Sequence, residues 1–120
     1  WGAFLLQSGP HLVGIVQHLV QHLSCPVTVK VRILDNTDNP YQDSLELYTQ
    51  LVDAGAAMLT IHGRTKSQKK TETGSADWKF IQTVVQHLGS RVPIVANGNI
   101  ATLDDVRTCL QYTKCDGIMS

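Results

Sequence analysis

The sequence predicts an α/β fold on a parallel sheet, and more narrowly part of a (β/α)8 TIM barrel. Three observations lead there. Short runs rich in β-branched residues alternate with segments whose apolar residues recur every three or four positions, the pattern of strands separated by helices. The repeat is roughly 30 residues per unit, as expected for βα units joined by right-handed crossovers. Two apolar runs end in polar clusters beside a glycine. Met58-Leu59-Thr60-Ile61 leads into His62-Gly63-Arg64-Thr65, and Pro93-Ile94-Val95-Ala96 into Asn97-Gly98-Asn99. In parallel α/β folds ligands bind at the carboxyl ends of the strands. A whole barrel takes about 250 residues, so 120 residues make about half of one. A doubly wound sheet is the alternative.

The elements follow in order. His11 to Leu23 reads as a helix, with Leu12, Ile15, Val16, Leu19, Val20 and Leu23 at helical spacing. Pro10 sits where a first helical turn tolerates it. After Pro26, Val27 to Ile33 is rich in β-branched residues and reads as a strand. Asp35 to Pro40 is a polar turn region. A second helix is expected from about Ser44 to Ala54, burying Leu45, Tyr48, Leu51 and Val52, with Gly55 as its stop signal. Met58 to Ile61 is the next strand, and a polar loop with Lys66, Lys69 and Lys70 runs from Gly63 to Gly74. Ala76 or Asp77 starts a helix to Leu88 that turns Trp78, Ile81, Val84, Val85 and Leu88 inward, and Gly89 ends it. Val92 to Ala96 is a strand, Thr102 to Gln111 a helix with Thr102 as N-cap, and Gly117 to Ser120 the start of another strand.

Composition narrows the function less than the motifs do. Ten Lys and Arg balance ten Asp and Glu, so net charge gives no global case for a nucleic-acid partner, although a local patch suffices for one. No apolar run is long enough to span a membrane and none has the layout of a signal peptide. Cys25, Cys109 and Cys115 match no zinc or paired-cysteine spacing and read as reduced thiols of a cytosolic protein. The chain opens on Trp1-Gly2-Ala3-Phe4-Leu5 and closes on Asp116-Gly117-Ile118-Met119-Ser120, which resembles the middle of a buried strand. The sequence is therefore read as a piece of a larger protein, poorly soluble or oligomeric by itself because unpaired barrel strands invite association.

Several side chains are candidates for chemistry. Lys30 lies mid-strand between Val29 and Val31, which face the other way, and Arg32 shares its face. A desolvated ammonium needs a partner. Lys30 is either in a structural ion pair, with Asp35 or Asp53 for instance, or faces a cofactor or oxyanion at the barrel mouth. His62 ends its strand, where an imidazole orients a substrate or moves protons near neutral pH. Arg64 has the fork that clamps a phosphate or carboxylate. Asn97-Gly98-Asn99 offers amide side chains and backbone N–H groups, or is a simple turn. His18 and His22 have zinc-ligand spacing but no acidic third ligand, so they read as a solvated face and no metal is expected. The lysine run is the sensible place for phosphate contacts if the protein handles RNA.

Taken together, Gly2-Ala3-Phe4-Leu5, Val27-Thr28-Val29-Lys30-Val31-Arg32, Leu59-Thr60-Ile61-His62-Gly63-Arg64-Thr65, Val95-Ala96-Asn97-Gly98-Asn99-Ile100 and Asp116-Gly117-Ile118-Met119-Ser120 resemble the tRNA-dihydrouridine synthases. These are FMN-dependent (β/α)8 barrels. The stretch from His62 to Lys70 and the final Gly-Ile-Met-Ser look most like the eukaryotic branch acting on uridines of the tRNA D-loop. The resemblance implies that NADPH reduces FMN, that reduced FMN passes a hydride to C6 of a flipped-out uracil, and that a cysteine general acid protonates C5. It places Lys30 near the flavin ring, His62 beside flavin and uracil, Asn97, Gly98 and Asn99 on the ribityl-phosphate side of FMN, and Arg64 at the same mouth on the substrate side. It implies tRNA and NADPH as partners in the cytoplasm, and in the nucleus as well. The family's Asn-x-Gly-Cys-Pro motif would precede Trp1, so no catalytic acid lies within these residues and none of the three cysteines takes its place. Two other readings are a flavin barrel that reduces a small molecule and a non-catalytic RNA-binding relative.

Overall fold

A computed structural model describes residues 9–34, 37–65 and 77–119. The elements run α1 (Gly9–His22), β1 (Thr28–Ile33), α2 (Pro40–Asp53), β2 (Met58–Thr65), α3 (Trp78–Leu88), β3 (Ile94–Asn97), α4 (Leu103–Thr113) and β4 (Gly117–Met119). The four strands pair in parallel in the order β1-β2-β3-β4. Consecutive neighbours joined by helices of one crossover hand place α2, α3 and α4 on one side of the sheet. This is a run of successive βα units, part of a (β/α)8 barrel, and a doubly wound order would have reversed direction.

The helix-covered face carries the apolar half of each strand. Val29, Val31 and Ile33 of β1, Leu59 and Ile61 of β2, and Ile94 and Ala96 of β3 are buried there. They meet Leu47, Tyr48, Leu51 and Val52 of α2 and Phe80, Ile81, Val84 and Leu88 of α3. Each fully buried aliphatic side chain stabilises by about 1.5–3 kcal/mol. Phe80, absent from the inward face read off the sequence, belongs to this core and stacks on Tyr41 with ring centroids 5.1 Å apart.

Several boundaries differ from the sequence reading. α2 begins four residues early, at Pro40, because proline's missing N–H costs nothing at a first turn. The Ser44 hydroxyl, fully buried, accepts from Leu34 N–H at 2.8 Å. β2 does not stop at Ile61: His62, Gly63, Arg64 and Thr65 continue the strand. Two extra residues enter β2 there, since Arg32 pairs with His62 but Ile33 with Thr65. Such a bulge re-aims side chains at a barrel rim. α1 buries Leu12 and Val16 but leaves Leu19 exposed, as is Leu23 just past its end, so the predicted apolar stripe is only half used. Asp77 N-caps α3 and Thr102 caps α4 in a reciprocal box with Asp105.

Candidate functional site

The face of the sheet away from the helices carries its polar residues in registered rows. Lys30, Thr60, Val95 and Gly117 lie level across the four strands, and nearer the carboxyl edge so do Arg32, His62, Asn97 and Met119. Strand alternation produces this arrangement. Burying Val29, Val31 and Ile33 against helices forces Lys30 and Arg32 to the opposite face, where Lys30 is exposed and Arg32 half-buried. Of the two acids offered as structural partners for Lys30, Asp53 pairs instead with Arg91 at 2.6 Å, and Asp35 lies outside the described residues. Tyr48, buried beneath the sheet, donates to the Arg32 carbonyl at 2.5 Å and fixes β1 from below.

His62 stands at the centre of the polar row. Its ring is half-buried, and neither Nδ1 nor Nε2 has a hydrogen-bond partner among the described residues. Buried polar atoms are nearly always satisfied, so two orphaned nitrogens on one ring point to a ligand. Burial pushes the imidazole down to about 4, aided by the positive charges of Arg32, Arg64 and Lys30. At neutral pH it is an uncharged ring with one donor and one acceptor.

Arg64 is buried, and its Nη2 donates to Asn99 Oδ1 at 2.6 Å. The family resemblance implies a place for this guanidinium on the substrate side of the mouth; in the structure it bonds to the turn after β3. That turn has a special backbone: Gly98 at φ 107° and Asn99 at φ 60° are successive left-handed residues. Glycine adopts this region freely and Asn better than most others. Asn97 Nδ2 donates to the Met119 carbonyl at 2.7 Å, and Trp78 Nε1 to the Gly98 carbonyl at 3.2 Å.

Gly63 lets two backbones meet. A Cβ there would lie 2.8 Å from Asp77 N, and Asp77 N donates to the Gly63 carbonyl at 2.7 Å. Asp77 is also joined to Phe80 N at 2.9 Å and to the Tyr41 hydroxyl at 2.6 Å. The carboxylate beside Tyr41 raises that phenol's pKa. The sequence marked Asp77 only as a helix start and passed over its role under the rim, along with Tyr41. Trp78 was counted as core; the contact with Gly98 leaves no local signal.

The remaining candidates separate from this cluster. His18 and His22 are exposed and their rings lie against each other at 4.2 Å. Among the described residues no three His, Cys, Asp or Glu side chains gather as a metal-binding group, and no helix is long and apolar enough to cross a membrane. Lys66, Lys69 and Lys70 lie outside the described residues. Cys25 precedes β1 and Cys115 precedes β4, at the amino end of the sheet away from the polar row. Burial pushes the Cys109 thiol up to about 11, far from a reactive thiolate.

Comparison with known proteins finds relatives along the whole chain. The profile of the family described as dihydrouridine synthase matches residues 1–120. The chain is 38% identical over 120 residues to the tRNA-dihydrouridine(16/17) synthase [NAD(P)(+)] of Schizosaccharomyces pombe, covering 100% of this chain and 29% of that protein. It is 39% identical over 121 residues to the Rattus norvegicus tRNA-dihydrouridine(16/17) synthase [NAD(P)(+)]-like protein, covering 100% and 26%. A probable tRNA-dihydrouridine synthase 1 of Synechocystis is 38% identical over 118 residues, covering 98% and 32%. The chain thus spans about a quarter to a third of the length of these relatives.

Proposed function

Because the chain belongs to the dihydrouridine synthase family, we propose that it forms one wall of the flavin site of an FMN-dependent tRNA-dihydrouridine synthase. That enzyme reduces uridine to 5,6-dihydrouridine in the tRNA D-loop, with NADPH as reductant. One observation carries the reading: His62 has two ring nitrogens without a partner among the described residues, in a polar row with Arg32 and Asn97, and the exposed Lys30 lies on the same face of the sheet. The relatives' names supply the substrate class and the nicotinamide reductant.

The residues present fit a flavin. A planar heterocycle with carbonyl and ring-nitrogen acceptors and an N–H donor matches a neutral imidazole offering one of each, flanked by cations. FMN, when bound, supplies the hydride that uracil C6 receives. Lys30 holds the negative charge that accumulates on such a ring. His62 stays uncharged at working pH, because burial, aided by the charges of Arg32, Arg64 and Lys30, makes protonating it unfavourable, and so it orients ring atoms by hydrogen bonds. The left-handed turn at Gly98 and Asn99 lets the cofactor approach main chain closely. The three cysteines take no part: Cys109 and Cys115 are buried, and Cys25 precedes β1 at the opposite end of the sheet from the polar row.

The test is the full-length protein as purified. A yellow protein that releases FMN on denaturation, is bleached by NADPH, loses flavin on Lys30→Ala and forms dihydrouridine in tRNA lacking it supports the proposal. A colourless protein that takes up no added FMN overturns it and leaves a non-catalytic RNA-binding relative. A flavoprotein that reduces a small molecule but not tRNA uridine overturns the substrate.

A further inference from the structure

The turn after β3 is held at three successive residues by three different elements. Asn97 donates to the Met119 carbonyl of β4, the Gly98 carbonyl accepts from Trp78 of α3, and Asn99 accepts from Arg64 of β2. The Arg64 contact is the shortest of these, at 2.6 Å, and the only one of the three that involves a charged group. It comes from a buried side chain, 9% exposed, in the bulged part of β2. Asn99 is also the residue most in need of support, since it holds a left-handed backbone at φ 60° without being glycine. Sparsely populated conformations persist where the surroundings over-determine them.

We propose that Arg64 is a positioning residue: its guanidinium, bonded to the Asn99 side chain, sets the left-handed turn at Gly98 and Asn99 in the shape that receives the flavin cofactor. This rests on the FMN reading given above, and it moves Arg64 from the substrate side of the mouth to the scaffold of the cofactor side. The bulge in β2 acquires a purpose from it. By inserting Gly63 and Arg64 beyond His62, the strand presents an imidazole to the open face and then reaches across β3 with the next long side chain.

The experiment is a double-mutant cycle in the full-length protein with Arg64→Lys, Asn99→Gly and the pair. Lysine keeps the charge but not the fork, and glycine removes the amide while still accepting a positive φ. Flavin-free protein is titrated with FMN by fluorescence, and hydrogen exchange is followed in a peptide covering residues 97–100. Each single variant is expected to bind FMN about tenfold more weakly, and the pair about tenfold rather than a hundredfold, because both remove one interaction. Exchange in the turn rises in all three without FMN. A hundredfold, additive loss overturns the proposal, as does unchanged exchange. So does an Arg64→Lys protein that keeps its FMN affinity while KM for tRNA rises, which would make Arg64 a substrate contact. If Arg64→Lys fails to fold, Asn99→Gly decides by exchange. If the unsubstituted protein takes up no FMN, the flavin reading has failed, and exchange alone reports whether Arg64 sets the turn.

Discussion

Gly63 to Ala is the substitution whose cost the geometry defines most closely. The new Cβ would stand 2.8 Å from Asp77 N, 3.1 Å from its carbonyl oxygen and 3.3 Å from its carbonyl carbon. All three are backbone atoms, so no side chain can swing aside. Reaching an ordinary contact means parting β2 from the start of α3 by roughly half an ångström. Overpacking of this kind costs about 1–3 kcal/mol. Movement of Asp77 also strains its 2.7 Å bond to the Gly63 carbonyl and the 2.9 Å cap on Phe80 N, together worth about 1–2 kcal/mol. Against this, alanine lowers the freedom of the unfolded chain by about 0.4–1 kcal/mol. The contributions share atoms and do not simply add. A net loss of about 2 kcal/mol is expected in denaturant unfolding of the full-length protein. Gly117→Ala is the control, because among the described residues its Cβ would meet only Val95 Cγ2, at an ordinary 3.6 Å, and should change stability by less than about 0.5 kcal/mol. If the two variants unfold at the same denaturant concentration, the tight approach of β2 to Asp77 is refuted. Since Gly63 separates His62 from Arg64, its alanine variant should also retain flavin less well than the control.

Three further outcomes are expected. In flavin-free protein His62 takes up its proton near pH 4 when folded and near 6.5 when unfolded. Above pH 6.5 the two states bind equally; as pH falls from 6.5 towards 4 the unfolded chain gains protons that the fold refuses, so stability drops across that window. The drop is about 1–2 kcal/mol after allowing for solvent screening of a half-buried ring, and the difference in stability between the protein and His62→Asn, followed against pH, should show it; a flat difference contradicts the assignment. Tyr48→Phe leaves the Arg32 carbonyl without its 2.5 Å donor and should lower unfolding free energy by about 1–2 kcal/mol, with no loss meaning that solvent replaces the phenol. Gly14→Ala in α1 meets nothing within 4 Å among the described residues and should raise stability by about 0.5–1 kcal/mol, measured by the same unfolding curves.

The sequence by itself determined the strand and helix order, because each element carries its own period. Alternation in Thr28–Ile33 already separated Val29, Val31 and Ile33 from Lys30 and Arg32, and the structure keeps that separation. The Thr102 cap was legible too, its side chain accepting from the backbone N–H three residues on; at Asp77 the sequence offered only a helix start, and the structure adds the cap on Phe80 N. The candidate site residues stood out in the sequence as two polar clusters at strand ends, with Lys30 and Arg32 on one face of a third strand. Tertiary structure decided how they combine. Only registration across strands sets Arg32, His62 and Asn97 level, since hydrogen bonding between strands far apart in sequence fixes which residues align. Only the bulge in β2 carries Arg64 to Asn99, across 35 positions of chain. The bond from Arg64 to Asn99 was not legible in the sequence, because a side chain's partner is a property of what folds against it, and no local pattern encodes a residue beyond a neighbouring strand. The same holds for Phe80 and Tyr41, whose stacking depends on two helices meeting, and for His62, whose charge state follows from burial among cations that two strands, β1 and β2, deliver.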